Sequence, residues 1–154
     1  MSMLAEYQRA RAGETVARLR RVLALRAMLA TGASQREIAS ELGITQPAVS
    51  QQLKTGVAVD LETLIDAATP ILKALAAERG FTDLALFGSV ARGQSRMDSD
   101  VDLLVRPPQG ATISDLVDLR ELFERVLDRP VDLVTYGGLK AGIDDVIFRD
   151  SVAL

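Results

Sequence analysis

The stretch Leu84-Ala85-Leu86-Phe87-Gly88-Ser89-Val90-Ala91-Arg92-Gly93, followed ten residues after Ser89 by Asp100-Val101-Asp102-Leu103-Leu104-Val105, decides how this chain folds. An apolar, β-prone run that stops at Gly-Ser and a second run that opens on Asp-x-Asp predict two strands with a turn between them. Side chains alternate along a strand, so Asp100 and Asp102 face one side while Val101 and Leu103 face the core. Two carboxylates sharing a site repel each other in water. With one or two Mg²⁺ between them they become a cradle for a triphosphate, clamping the attacking and leaving oxygens of an in-line displacement. Gly88 lets the backbone approach phosphates with no Cβ in the way. Ser89 offers a hydroxyl and an N–H at the start of a helical turn, where anions are favoured.

Working outward, Val131 to Thr135 is a third β-prone run, separated from the second by a helical pattern from about Ser114 to Leu127. Pro107-Pro108-Gln109-Gly110 and Gly137-Gly138 mark loops, and a last short helix is expected from Leu139 to Phe148. Upstream, Asp60 to Ala68 and Pro70 to Arg79 read as two helices, with Thr69 and Pro70 as stop and restart. The first 55 residues hold three more helices. One runs from Met3 to about Thr31, with Leu19, Val22, Leu23, Arg26 and Leu29 along one face. Ser34 begins the second with Glu37 as its capping-box partner, and Gly43 ends it; Thr45 begins the third, with Pro47 in its first turn. Thr55-Gly56 is the expected domain boundary. The fold class is therefore α+β: an all-helical unit over residues 1–56, then a small mixed-sheet α/β domain over 57–154.

Composition narrows the chemistry. The chain has 154 residues with no Cys and no His, which excludes disulfides, thiolate or imidazole zinc sites and His-based acid–base catalysis. Any metal must be oxygen-ligated. No apolar run approaches the length of a membrane span and the N-terminus lacks signal-peptide order, so a cytoplasmic protein is expected. The net charge of −3 hides an asymmetry: residues 1–56 carry eight Lys or Arg against four Asp or Glu, and the remainder ten against seventeen. A basic N-terminal third suggests a nucleic-acid partner for that part alone.

Gln35 to Lys54, QREIASELGITQPAVSQQLK, resembles the helix-turn-helix of bacterial repressors. Ala39 is small where two helices cross, Gly43 occupies the turn where positive φ is needed, and Val49 anchors the second helix. Ile38, Leu42, Ile44 and Leu53 are expected to fill the rest of the mini-core. In such motifs the second helix enters the major groove, which here would present Thr45, Gln46, Ser50 and Gln51 to bases, with Lys54 near phosphate. A functional reader of this size would be a dimer on a two-fold site. The competing reading is a three-helix packing unit that touches no DNA.

The pattern G-S-x10-D-x-D, in the context GSVARG and SDVDLLV, resembles the signature of polymerase-β-like nucleotidyltransferases, and most closely the minimal nucleotidyltransferases, the MNT family, of prokaryotes. The resemblance covers roughly Pro70 to Leu154. It implies a third carboxylate on a neighbouring strand, here Asp132, that helps hold the catalytic metal and deprotonates or orients the attacking hydroxyl. It also implies that Gly88 and Ser89 hold the triphosphate. Arg92 matches a frequent family position, either contacting phosphate or bracing the acidic site. Asp98 and Ser99 read as loop caps rather than ligands. Few residues follow Asp132, so no acceptor domain is expected within the chain. The MNT resemblance implies a partner that completes the site, often a helical HEPN toxin, to which AMP is transferred from ATP. The reading that results is an antitoxin: a Mg²⁺-dependent protein adenylyltransferase that also binds operator DNA, as a homodimer or in a hetero-oligomer with its toxin. Two rivals remain at this stage. One is a transcriptional regulator with a non-catalytic nucleotidyltransferase fold, and the other a transferase acting on small molecules such as aminoglycosides.

Overall fold

A computed structural model describes residues 1–93, 100–138 and 145–154, with only the backbone described at Ser89, Asp145 and Phe148. The chain separates into two compact units, Met1–Val59 and Asp60–Leu154.

The first unit is built from α1 (Met3–Ala30), α2 (Gln35–Leu42) and α3 (Gln46–Lys54). The Ser34 hydroxyl accepts from the Glu37 amide at the start of α2, and the Thr45 hydroxyl accepts from the Ala48 amide at the start of α3. Each satisfies one of the donors that a helix start leaves unpaired. Between them Gly43 is left-handed at φ 67°, and the Ile44 N–H returns to the Ala39 carbonyl. Leu25, Ile38, Ala39 and Val49 form the core, with Met28, Leu29, Ala33 and Leu53 packed against it. Two expected core residues are not in it: Leu42 is 52% exposed and Ile44 37%. They flank the left-handed turn and are carried outward by it, while α1 supplies the apolar groups that close the core instead.

The second unit begins with α4 (Leu61–Glu78), one continuous helix rather than the two expected. Asp60 caps it by accepting from the Thr63 amide at 2.7 Å, and that bond holds its carboxyl below the usual range. Pro70 is in the helix interior, where it removes one N–H and normally breaks or kinks the helix. Here Pro70 and Asp66, whose carbonyl loses its donor, both lie on the exposed side, so water can satisfy that carbonyl. The buried face carries Leu61, Leu64, Ile65, Ala68, Leu72 and Leu75 through the break, and their burial outweighs the missing bond.

Beyond α4 come β1 (Thr82–Phe87), the short α5 (Gly88–Ala91), β2 (Val101–Arg106), α6 (Ile113–Leu127), β3 (Val131–Thr135), a 3₁₀ turn at Tyr136–Gly138, α7 (Asp145–Asp150) and β4 (Val152–Ala153). The sheet order is β3-β2-β1-β4: β1 is antiparallel to β2 and β4, and β2 is parallel to β3. The parallel pair needs a crossover, which α6 provides, opened by a reciprocal capping box between Thr112 and Asp115. β2 is covered on both faces, since Val101, Leu103, Leu104 and Val105 are all fully buried. α4 packs on α6 and on β1, while Ile147 of α7 packs on the cluster of Ala85, Phe87 and Leu104. The expected helix from Leu139 to Phe148 is found as α7 for its later part; residues 139–144 lie outside the described residues. Strand β4, at the sheet edge, has no counterpart in the sequence reading. Among the described residues no helix is long and apolar enough to cross a membrane.

Candidate active site

The site is assembled at one end of the sheet by strand register. Phe87, the last residue of β1, is paired with Asp102, and Asp102 is paired with Asp132 across the parallel β2–β3 ladder. Paired residues in adjacent strands point to the same face, so the two carboxylates stand side by side. They share that face with Phe87 and Leu104, opposite the face occupied by Val101 and Leu103. Asp100 is placed one residue before β2 and is exposed, as is Asp132, whereas Asp102 is half-buried.

Burial raises the Asp102 carboxyl above the usual range, the charges of Asp132 and Asp100 push it further the same way, and Arg92 opposes them. Asp132, Asp100 and Arg92 therefore all lie near enough for their charges to act on Asp102. The Arg92 charge acting on Asp102 fits a brace for the acidic group.

Gly88 follows β1 with φ 75°, a conformation L side chains rarely adopt. A Cβ at this position would overlap the Asp102 carboxylate, with the Asp102 Cγ at 3.0 Å and Cβ at 3.2 Å. The glycine is thus required twice, by the turn and by the carboxylate lying over it. α5 turns the chain away from the strand, and Gly93 at φ 67° ends that turn. The Ser89 hydroxyl, and Asp98 and Ser99, lie outside the described residues.

Among the described residues no three carboxylates converge into a metal cage of their own. The donor set nonetheless fits a hard cation. All available ligands are carboxylate oxygens, and Mg²⁺ is usually held by one or two carboxylates plus the phosphates of a substrate rather than by an all-protein cage. Burial is the largest cause of the raised Asp102 carboxyl, and the part that Asp132 and Asp100 add is a charge repulsion that a cation would relieve.

A cavity of about 280 Å³ lies elsewhere, between α4, α5, β1 and β4, lined by residues including Ile65, Leu86 and Val90. Leu86 alternates with Phe87, so this cavity opens on the sheet face away from Asp102.

In the first unit, Thr45, Gln46, Gln51 and Lys54 are exposed along α3 and Ser50 is half-buried. Gln46 donates to the Gln35 side chain at 2.9 Å, tying the start of α3 to the start of α2.

A glycine turn between two strands, an Asp-x-Asp running into the second and a third Asp beside it on a parallel neighbour are the arrangement expected of a nucleotidyltransferase. The chain belongs to the nucleotidyltransferase domain family, whose match spans residues 70–154, more than half of its length. It is 35% identical over 92 residues to the protein adenylyltransferase MntA of Thermococcus cleftensis, an alignment covering 60% of this chain and 93% of that one. A protein of Methanocaldococcus jannaschii assigned as a protein adenylyltransferase is 35% identical over 75 residues, covering 49% of this chain and 81% of that one. A solved structure described as a minimal nucleotidyltransferase superimposes with a TM-score of 0.57 at 38% identity, covering 64% of this chain and all of that one.

Proposed function

We propose that this chain is a Mg²⁺-dependent protein adenylyltransferase acting as an antitoxin, with AMP passing from ATP to a hydroxyl of a partner toxin. One observation carries the proposal: the register that sets Asp102 beside Asp132 and lays Asp102 over Gly88, in a chain whose relatives are named as protein adenylyltransferases.

In this reading the partner's hydroxyl oxygen bonds to the α-phosphorus of ATP, the bond from that phosphorus to the bridging oxygen breaks, and pyrophosphate leaves. Asp132, exposed at the site edge, accepts or orients the hydroxyl proton. Gly88 and Ser89 hold the terminal phosphates, and Arg92 balances the acidic cluster or touches phosphate. Asp100, Asp102 and Asp132 are the candidate cation ligands, and a bound divalent cation would neutralise charge on the triphosphate. Neutralisation of the toxin would follow from the covalent AMP. The domain assignment behind this reading is a DNA-binding unit over residues 1–56 and a transferase over 57–154.

The helix-turn-helix unit would bind operator DNA through Thr45, Gln46, Ser50, Gln51 and Lys54. Support comes from the left-handed Gly43 and from the exposure of most of that row on α3.

The test is incubation of the chain with Mg²⁺, α-labelled ATP and the protein encoded beside it. The expected result is label on that partner, none from γ-labelled ATP, and none with the Asp102→Ala variant. Equal transfer by wild type and Asp102→Ala would overturn the assignment of the site. Normal DNA binding with no transfer would favour the regulator.

A further inference from the structure

Within the first unit a groove of about 300 Å³ runs between α1 and α3, lined by residues including Arg18, Arg21, Gln51 and Gln52. Arg18 and Arg21 are three residues apart on α1, hence on one helix face, and both are exposed. Neither has an ion-pair partner among the described residues, and the Glu14 carboxylate a turn before Arg18 makes no such pair with it. Val22, fully buried, and Ala48, half-buried, give the arginine stems an apolar wall to lie along. The Thr55 hydroxyl already donates to the Gln51 carbonyl at 2.8 Å. The free donors of the groove are therefore two guanidinium groups and two side-chain amides, a set that suits a phosphate oxygen cluster and no cation.

We infer that this groove seats a backbone phosphate of the DNA duplex that α3 reads, with Arg18 and Arg21 as the phosphate-holding residues. Gln51 belongs both to the groove and to the exposed row of α3, so a duplex lying along α3 brings its sugar-phosphate strand to the two arginines. The inference rests on the DNA-binding reading of the first unit. It adds residues outside the helix-turn-helix segment, because α1 ends before Gln35. Their contribution is independent of base sequence, since phosphate contacts position the protein while base contacts specify.

The experiment titrates the full chain with two duplexes, the DNA upstream of its own gene and a scrambled duplex of equal length, across a series of salt concentrations. For Arg18→Ala/Arg21→Ala, affinity is expected to fall by a similar factor on both duplexes, and the slope of log affinity against log salt to become shallower by about 0.9 for a single phosphate that the protein no longer neutralises. Arg18→Lys/Arg21→Lys retains the slope, which separates charge from any loss of fold, and thermal melting of each variant checks that the unit is intact. Gln51→Ala is expected to change the ratio between duplexes and leave the slope alone. If the double alanine variant keeps wild-type affinity and slope while Gln51→Ala loses discrimination, the groove assignment falls and the DNA reading stands. If the wild-type chain shows no salt-sensitive binding to either duplex, both fall.

Discussion

Replacing Gly88 by Ala isolates the close approach on which the site geometry depends. Two costs are expected. An L residue at φ 75° is disfavoured by about 1–2 kcal/mol, and crowding a methyl against a packed neighbour costs about 1–3 kcal/mol. The lower chain entropy of Ala in the unfolded state returns about 0.4–1 kcal/mol, leaving a net loss of about 1–4.6 kcal/mol, centred at about 3. Gly93 supplies the control: it has a similar φ of 67°, but its nearest neighbour is the Glu62 carboxylate at 3.7 Å, so Gly93→Ala is expected to lose only about 1 kcal/mol. The second control removes the obstacle. Asp102→Ala removes the carboxylate but keeps the Cβ at 3.2 Å, so adding Gly88→Ala to it should cost the backbone strain plus only the smaller crowding against that Cβ. Denaturant unfolding of wild type, both single variants and the double variant gives the coupling energy, expected at about 1–3 kcal/mol. Additivity within about 0.5 kcal/mol, or a Gly88→Ala loss no larger than that of Gly93→Ala, would refute the claim that Asp102 lies over the glycine.

Asp102→Asn, studied without divalent cation, should stabilise the fold. The folded-state carboxyl is raised, so above its ordinary range the folded state binds more protons than the unfolded one, and stability falls as pH rises through the interval between the two values. Thermal melts should therefore show wild type losing stability across that interval, with the Asn variant flatter; Mg²⁺ should recover the loss in wild type alone. Ile38→Ala, in the buried cluster of the first unit, should cost about 2–5 kcal/mol. Leu42→Ser at its exposed position should stay within about 0.5 kcal/mol in denaturant titrations; reversed magnitudes would restore Leu42 to the core. Pro70→Ala should stabilise the second unit by up to about 3 kcal/mol, since it returns a helix N–H and removes the ring clash. An unchanged or lower midpoint would mean that the proline is required by something other than the helix.

How much of the fold is legible in the chain alone depends on how local the determining physics is. Strands β1, β2 and β3 and the helices capped by Ser34 and Thr45 are specified by nearby residues: β3 and both helices lie where alternation and capping place them, β2 runs one residue further, to Arg106, and β1 opens two residues earlier than Leu84, at Thr82. The helical pattern puts the start of α6 one residue late, because the cap that Thr112 forms with Asp115 is not evident from periodicity. Pro70 misleads because a local rule ignores which side of the helix faces water. Leu42 and Ile44 mislead because apolar character alone does not say that a left-handed turn will carry a side chain outward. The placement of Asp132 opposite Asp102 is a register fact, available only once β2 and β3 are known to be parallel neighbours. The clash at Gly88 has a clearer signal in sequence, a Gly at the end of an apolar strand, but the atom it makes room for does not. Arg18 and Arg21 offer no motif, only basic charge, and become informative when the fold sets them against α3.

The parallel ladder also dictates when the site can exist. Asp102 and Asp132 meet only after the intervening segment, including all of α6, has been looped across the sheet. Closing a loop of that length costs about 3 kcal/mol of chain entropy before any contact rewards it. Long-range parallel pairings are intrinsically slow to form. The pair of carboxylates therefore reports on completion of the crossover: a chain that has not closed it carries both acids in sequence but not side by side. Under the proposed mechanism, transfer activity and closure of that crossover become a single measurable quantity.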